Sequence, residues 1–153
     1  MGEPLERRLE SIDAILLFHE HTEAKGYVAV DFYDGSILYD FRIHRTKICD
    51  IDFYRLGPSV NDMGEHFWGS KRSKAPEEFV LGAPIDSVTN VYTLGAIIFG
   101  LLGGEMDHSY AKWEAGEALY GAALRAVQPE RGRRYASVVE FKRVWDEARL
   151  GRW

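Results

Sequence analysis

One cysteine, Cys49, is present in 153 residues. A single thiol cannot close an internal disulfide or supply a multi-cysteine metal site, and it suits a reducing compartment such as the cytoplasm. Positive charge is also in deficit: 19 Lys and Arg face 24 Asp and Glu, for a net charge of −5, and the cations are scattered apart from short clusters at residues 71–74 and 131–134. Without a concentrated basic face, binding to a nucleic-acid backbone is not expected. The longest apolar stretch, around residues 94–102, has about half the length that a bilayer span requires, so no membrane insertion is expected. Glu3, Glu6, Arg7 and Arg8 near the N-terminus break any secretory pattern, and the expectation is a soluble, cytoplasmic protein. Low-complexity linkers and internal repeats are lacking too, so residues 1–153 read as one domain.

Against these absences stands a rich apolar content, 46% hydrophobic with eight Phe, eight Tyr and four Trp, which disordered segments lack. Leu5, Leu9, Ile12, Ile15, Leu16 and His19 recur at helical spacing, predicting an amphipathic helix from Leu5 to about Ala24 that Gly26 stops. Short β-branched and aromatic runs follow at 27–32, 36–41 and 46–51, parted by Asp34-Gly35 and a polar stretch at 42–45. These predict short strands with a small hairpin. Residues 54–82 show no sustained period and read as the longest irregular stretch. A helix from about 86 to 102 is apolar on nearly every side and must be buried. Two more are predicted at about 112–127, with a break near Gly116, and at 138–150, with Ser137 as N-cap. The fold class expected is mainly α with a β-hairpin insert.

Three loop positions bear on chemistry: Asp31, Ser36 and Asp50 each open or close a short run, so a hairpin could gather them at one edge. Phosphoryl transfer uses such a set, with one carboxylate to orient the attacking hydroxyl and hard oxygen ligands for Mg²⁺. Asp at strand ends is equally ordinary turn chemistry, so this trio alone leaves both readings open.

The order of landmarks then resembles the C-terminal lobe of a bacterial serine/threonine protein kinase, from Leu5 nearly to the end. Asp31-Phe32-Tyr33-Asp34-Gly35-Ser36-Ile37-Leu38 resembles the catalytic loop, and Asp50-Ile51-Asp52 falls where the metal-binding D-F-G lies. Gly69-Ser70 and Ala75-Pro76-Glu77 match the end of the activation segment. Asn90-Val91-Tyr92-Thr93-Leu94-Gly95 resembles the buried sixth helix, and Arg134-Tyr135-Ala136-Ser137 the R-Y-x-S of bacterial members. The resemblance implies a kinase-like C-lobe whose hairpin carries the catalytic and metal loops. It assigns Asp31 as catalytic base, Tyr33 to the phosphate-contacting position, Ser36 to the second metal position and Asp50 as main Mg²⁺ ligand. Glu77 and Arg134 become a structural ion pair, and Asn90 the helix anchor of the catalytic loop.

The departures carry consequences. Ala29 and Val30 replace His and Arg, removing the arginine that pairs with a phosphorylated activation segment. Tyr33 replaces a lysine and cannot supply its positive charge at neutral pH. Ser36 replaces Asn, Asp52 replaces Gly, and Asn90 replaces an Asp, which exchanges a charge-assisted hydrogen bond for a neutral one. The Gly-rich loop and strand lysine that grip ATP would precede Leu5, so this chain by itself is expected to be inactive and to bind neither ATP nor Mg²⁺, both belonging to a longer intact protein. Expected partners are the missing N-lobe, a protein substrate, or a second copy forming a homodimer through the exposed inter-lobe surface. A pseudokinase scaffold and a small-molecule kinase are the rival readings; the Ala75-Pro76-Glu77 segment with Arg134 argues against the latter.

Other candidates read blandly. His19 and His21 sit two apart and diverge on a helix, so they make no zinc pair. Cys49 is expected to be a buried, inert thiol. The 71–74 cluster is expected to be a solvated loop, with contact to an acidic substrate or a phosphate as the alternative. Trp68, Trp113 and Trp145 are expected to pack rather than to cage a ligand.

Overall fold

Leu9, Ile12, Ile15, Leu16 and His19, three and four residues apart, form the buried stripe of α1 (Leu5–Ala24). This is a computed structural model that describes residues 4–33, 36–49, 51, 53–104 and 107–151. Among them lie four α-helices and three two-stranded antiparallel sheets, a mixed but mainly helical architecture. The central element is α2 (Ser87–Leu102), with eleven buried positions, from Thr89 to Leu102, distributed around the helix. Its N-terminus is held by Asp86, whose carboxylate accepts from the backbone N–H of Val88 and Thr89, while Thr89 Oγ1 accepts from Asp86 N.

Helices α3 (Glu117–Ala126) and α4 (Val138–Arg149) close the core around α2. The break expected near Gly116 is real: Gly116 is the N-cap of α3 at φ +83°, and Tyr110–Lys112 forms only a 3₁₀ turn. Gly116 also accepts a hydrogen bond on its carbonyl from the Trp113 indole. Two side chains serve the N-terminus of α4. Ser137 Oγ accepts from Glu140 N, and Glu23, at the far end of α1, accepts from Val138 N at 2.7 Å and Val139 N at 3.2 Å. A carboxylate facing the positive end of a helix dipole thereby fixes α1 against α4.

The strands are shorter than the sequence suggests. Only β1 (Tyr27–Val28) of the 27–32 run is a strand, and it pairs with β4 (Arg55–Leu56). The run ends there because the backbone N–H and C=O of Ala29 are both taken by the Asn90 side chain, leaving nothing for a ladder. The hairpin is β2 (Ile37–Asp40) with β3 (Arg45–Ile48), laid on α1 through a Ser11–Thr46 hydroxyl contact at 2.7 Å. Residues 54–82 are not featureless: β4 docks on β1, β5 (Ser59–Val60) pairs with β6 (Pro84–Ile85), and 3₁₀ turns occupy Gly64–His66 and Pro76–Phe79. No helix among the described residues is long and apolar enough to cross a membrane.

Gly95 lets α2 approach α3 closely, since a Cβ there would stand 2.8 Å from Ala126 Cβ and 2.9 Å from Val127 Cγ1. Both contacts are to short, fixed side chains. Gly95→Ala is therefore expected to lower stability by about 1–3 kcal/mol in chemical denaturation; an unchanged midpoint would show that the helices separate without cost.

Candidate functional site

α2 positions the loop that follows β1. Asn90, 7% exposed, donates from Nδ2 to Ala29 O at 2.9 Å and accepts on Oδ1 from Ala29 N at 2.8 Å. The sequence implied that Asn here weakens the anchor. The amide instead makes a second bond that a carboxylate cannot, because only an NH₂ group can donate to the carbonyl. Beyond Ala29 the chain alternates between burial and exposure. Val30, 1% exposed, joins Val28, Phe67 and Ile85, and the ring of Phe32, 4% exposed, lies tilted against the His19 ring with centroids 4.3 Å apart. Asp31, held between these two apolar anchors, adopts φ +60° and is half-buried. Left-handed backbone is strained for most residues but tolerated by Asp.

His19 fixes the floor of this loop. Its Nδ1 lies 2.8 Å from the Ile15 carbonyl, which can only accept, so Nδ1 carries the proton and Nε2 accepts from the Tyr54 hydroxyl at 2.6 Å. Burial pushes the imidazole down to about 4 and the Tyr54 phenol upward, so both groups are neutral through the physiological range.

Ser36 N donates to Tyr33 O at 2.9 Å, and Ser36 O accepts from Cys49 N at 2.8 Å and from Cys49 Sγ at 3.3 Å. Asp31, Tyr33 and Ser36 thus share one loop at the base of the hairpin. Ser36 has no exposed surface, and its hydroxyl has no hydrogen-bond partner among the described residues. Cys49 is half-buried just past β3, not enclosed in a strand as expected. Asp50 lies outside the described residues, as do Asp34, Gly35 and Asp52.

The structure brings Glu77 and Arg134 together across 57 residues: Arg134 Nη1 meets Glu77 Oε2 at 2.7 Å and Nη2 meets Oε1 at 2.9 Å. The remaining guanidinium hydrogens go to the carbonyls of Gln128, Pro129 and Val88. Glu77 Oε2 also accepts from Thr89 Oγ1 at 2.9 Å and Arg131 Nη1 at 2.7 Å. Burial alone would raise the Glu77 carboxyl, but hydrogen bonds from Arg134 and Thr89 and the guanidinium charge hold it below the usual carboxylate range. Arg131, which sequence reasoning saw only as part of a basic cluster, bridges this pair to Asp86 at 2.7 Å. The available signal was its spacing: a second arginine three residues before Arg134, with an N-cap aspartate opening α2.

The 71–74 cluster is not a solvated loop throughout. Lys71 and Arg72 are exposed, but Lys74 is buried, donating from Nζ to Phe67 O at 2.7 Å and Glu65 O at 3.3 Å, with the Phe79 ring 4.3 Å away. Burial lowers the ammonium, opposed by nearby Glu78. Glu78 Oε1 accepts from Ala75 N at 3.0 Å and Thr93 Oγ1 at 3.3 Å, and burial raises its carboxyl to about 7. Trp145 is fully buried and Trp113 nearly so, whereas Trp68 is 38% exposed and stacks on Phe53 at 4.4 Å.

Removing one member of a buried pair strands the other charge, so Arg134→Met should cost about 3–5 kcal/mol in urea denaturation. Arg131→Met should cost about 1 kcal/mol, because its side chain is 30% exposed; equal losses would show that the two arginines share the load. Glu78 and His19 act with opposite signs. A carboxyl raised to about 7 loses stability as pH climbs from 4.5, whereas an imidazole lowered to about 4 gains it as pH climbs toward 6.5. Over that interval the two offset each other. Glu78→Gln should unmask the histidine, its stability rising by about 2 kcal/mol more than the wild type's between those pH values; parallel profiles would refute an ionisable, buried Glu78.

Compared with models of known protein families and with curated proteins, the chain matches none.

Proposed function

We propose that this chain is the substrate-side lobe of a serine/threonine protein kinase-like phosphotransferase using ATP and Mg²⁺. The observation that carries the reading is that the residues paired by the resemblance are in contact. Glu77, at the end of the Ala75-Pro76-Glu77 segment, makes two charged hydrogen bonds to Arg134, and Asn90 holds the backbone two residues before Asp31. Neither contact is local in sequence. Asp31, half-buried between two buried neighbours, acts as the base: its carboxylate takes the proton of the attacking hydroxyl.

The donors suit Mg²⁺ in kind. Carboxylates and a hydroxyl are hard oxygens, and the Ser36 hydroxyl is buried with no partner among the described residues. Ser36 and Asp50 would hold the ion, whose charge would offset that of the phosphates. Nucleotide-gripping strands are needed in addition to these residues.

A pseudokinase that docks proteins is the second reading, favoured by one observation. Ser36 has no exposed surface, so its hydroxyl faces protein rather than an approaching ion.

The test is transfer of γ-phosphate from ATP to a generic serine/threonine substrate by the full-length protein and by its Asp31→Asn variant. The expected loss is about 10²–10⁴-fold. Equal transfer by both removes Asp31 from the mechanism, and absence of Mg²⁺-dependent nucleotide binding in the wild type selects the scaffold.

A further inference from the structure

The β2–β3 hairpin has two unlike faces. Its register pairs Ile37 with Ile48 and Tyr39 with Thr46 on one side, and Leu38 with Lys47 and Asp40 with Arg45 on the other. The first set faces inward: Ile37 and Ile48 pack against the core, and Thr46 bonds to Ser11 of α1. The second set faces out, where Leu38 is 56% exposed and Phe41, in the connecting turn, 67% exposed. Leu38, Asp40 and Lys47 of this face, together with Tyr39 and with Phe41 and Arg42 of the turn, line a hollow of about 530 Å³.

The hairpin also carries a local excess of positive charge. Residues 37–48 hold Arg42, Arg45 and Lys47 against Asp40 alone, a positive surplus within a chain of net charge −5. Many arginines and lysines elsewhere find carboxylates, as in Arg8–Glu114, Arg149–Asp13 and Lys142–Asp146, although Lys25, Lys71, Lys74 and Arg133 make no ion pair among the described residues. None of the three hairpin cations makes an ion pair among the described residues. Exposed apolar side chains beside uncompensated cations fit a surface that is covered by something carrying the complementary features.

We propose that the outer face of the hairpin docks an acidic peptide segment bearing a large apolar anchor. The anchor enters the hollow between Leu38 and Phe41, and flanking carboxylates meet Arg42 and Lys47. Asp40, inside the hollow, disfavours an acid at the anchor position itself and so sets the order acid, apolar, acid. A hollow of this size takes one or two side chains, which favours a peptide over a flat lipid surface. The inference stands apart from phosphotransfer, since none of its residues is assigned a part in that chemistry.

The probe is a fluorescein-labelled peptide, Glu-Asp-Glu-Leu-Phe-Asp-Glu-Glu, with a counterpart in which every acid is Lys, titrated by fluorescence anisotropy against the full chain. The acidic peptide should bind and the lysine version should not. Binding should weaken at least about tenfold in the double variant Arg42→Glu with Lys47→Glu, in Phe41→Ser, and on raising NaCl to about 0.5 M. Amide NMR shifts should cluster at residues 37–47. These side chains are exposed, so far-UV circular dichroism of the variants should match the wild type. Binding unaffected by the charge reversal overturns the proposal. So does failure of the acidic peptide to bind, whether the chain instead sediments with phosphatidylserine vesicles, self-associates through residues 37–47, or does neither.

Discussion

A carboxylate whose side chain is 5% exposed cannot stay charged without compensation, and Glu77 receives it from three side chains at once: Arg134 and Arg131 in the turn before α4, and Thr89 in the first turn of α2. The ion pair is not a surplus of stability over an apolar pair of the same shape, since desolvating both charges consumes most of what their attraction returns. Its effect is to specify geometry. With every hydrogen of Arg134 directed to an acceptor, the segment ending in Pro76–Phe79, the start of α2 and the turn before α4 have one mutual arrangement. Displacing any of them leaves a buried charge unpaired.

From that junction the constraint passes along α2. Asp86 holds the helix start and also ties Arg131, while Asn90, one turn further, clasps Ala29. The Asp31 loop is therefore placed by the same helix that the ion pair orients. Backbone bonds alone would not do this: Ala29 uses its groups on a side chain instead of extending β1, and the loop is freed from the sheet at that residue. Val30 and Phe32, buried on different clusters, then leave Asp31 between them in a left-handed conformation. The strain is carried by packing on both sides of it.

The helices were legible because their signals are local. Leu5–Ala24 appears with the bounds read from apolar spacing, and Ser137 caps α4 as its residue type implies. The short strands were not, because pairing is decided by partners distant in sequence. Nothing in Tyr27–Val28 says that Arg55–Leu56, rather than the adjacent run, lies beside it. The same reasoning divides the site. Glu77, Asn90 and Arg134 were found through motif order, but Arg131, Lys74 and Glu78 belong to no motif, and their roles come from burial that only tertiary structure creates. Lys74 is the sharpest case, a lysine in a basic, loop-like stretch whose ammonium nonetheless ends on two backbone carbonyls inside the protein.

Ser36 shows how a short side chain limits what a loop can do. Its backbone is pinned on both sides by Tyr33 and Cys49 while its hydroxyl stays inside without a partner among the described residues. A buried hydroxyl without a hydrogen bond costs about 1–3 kcal/mol, which a protein retains when the orphan group has another use or when the loop's other bonds outweigh it. The two backbone bonds at Ser36 supply that second reason, since they join the loop to the end of the hairpin. Ligand chemistry and loop closure are thus competing explanations of one unsatisfied atom. The two proposed readings differ, at this position, in whether that hydroxyl stays enclosed by protein or meets a cation.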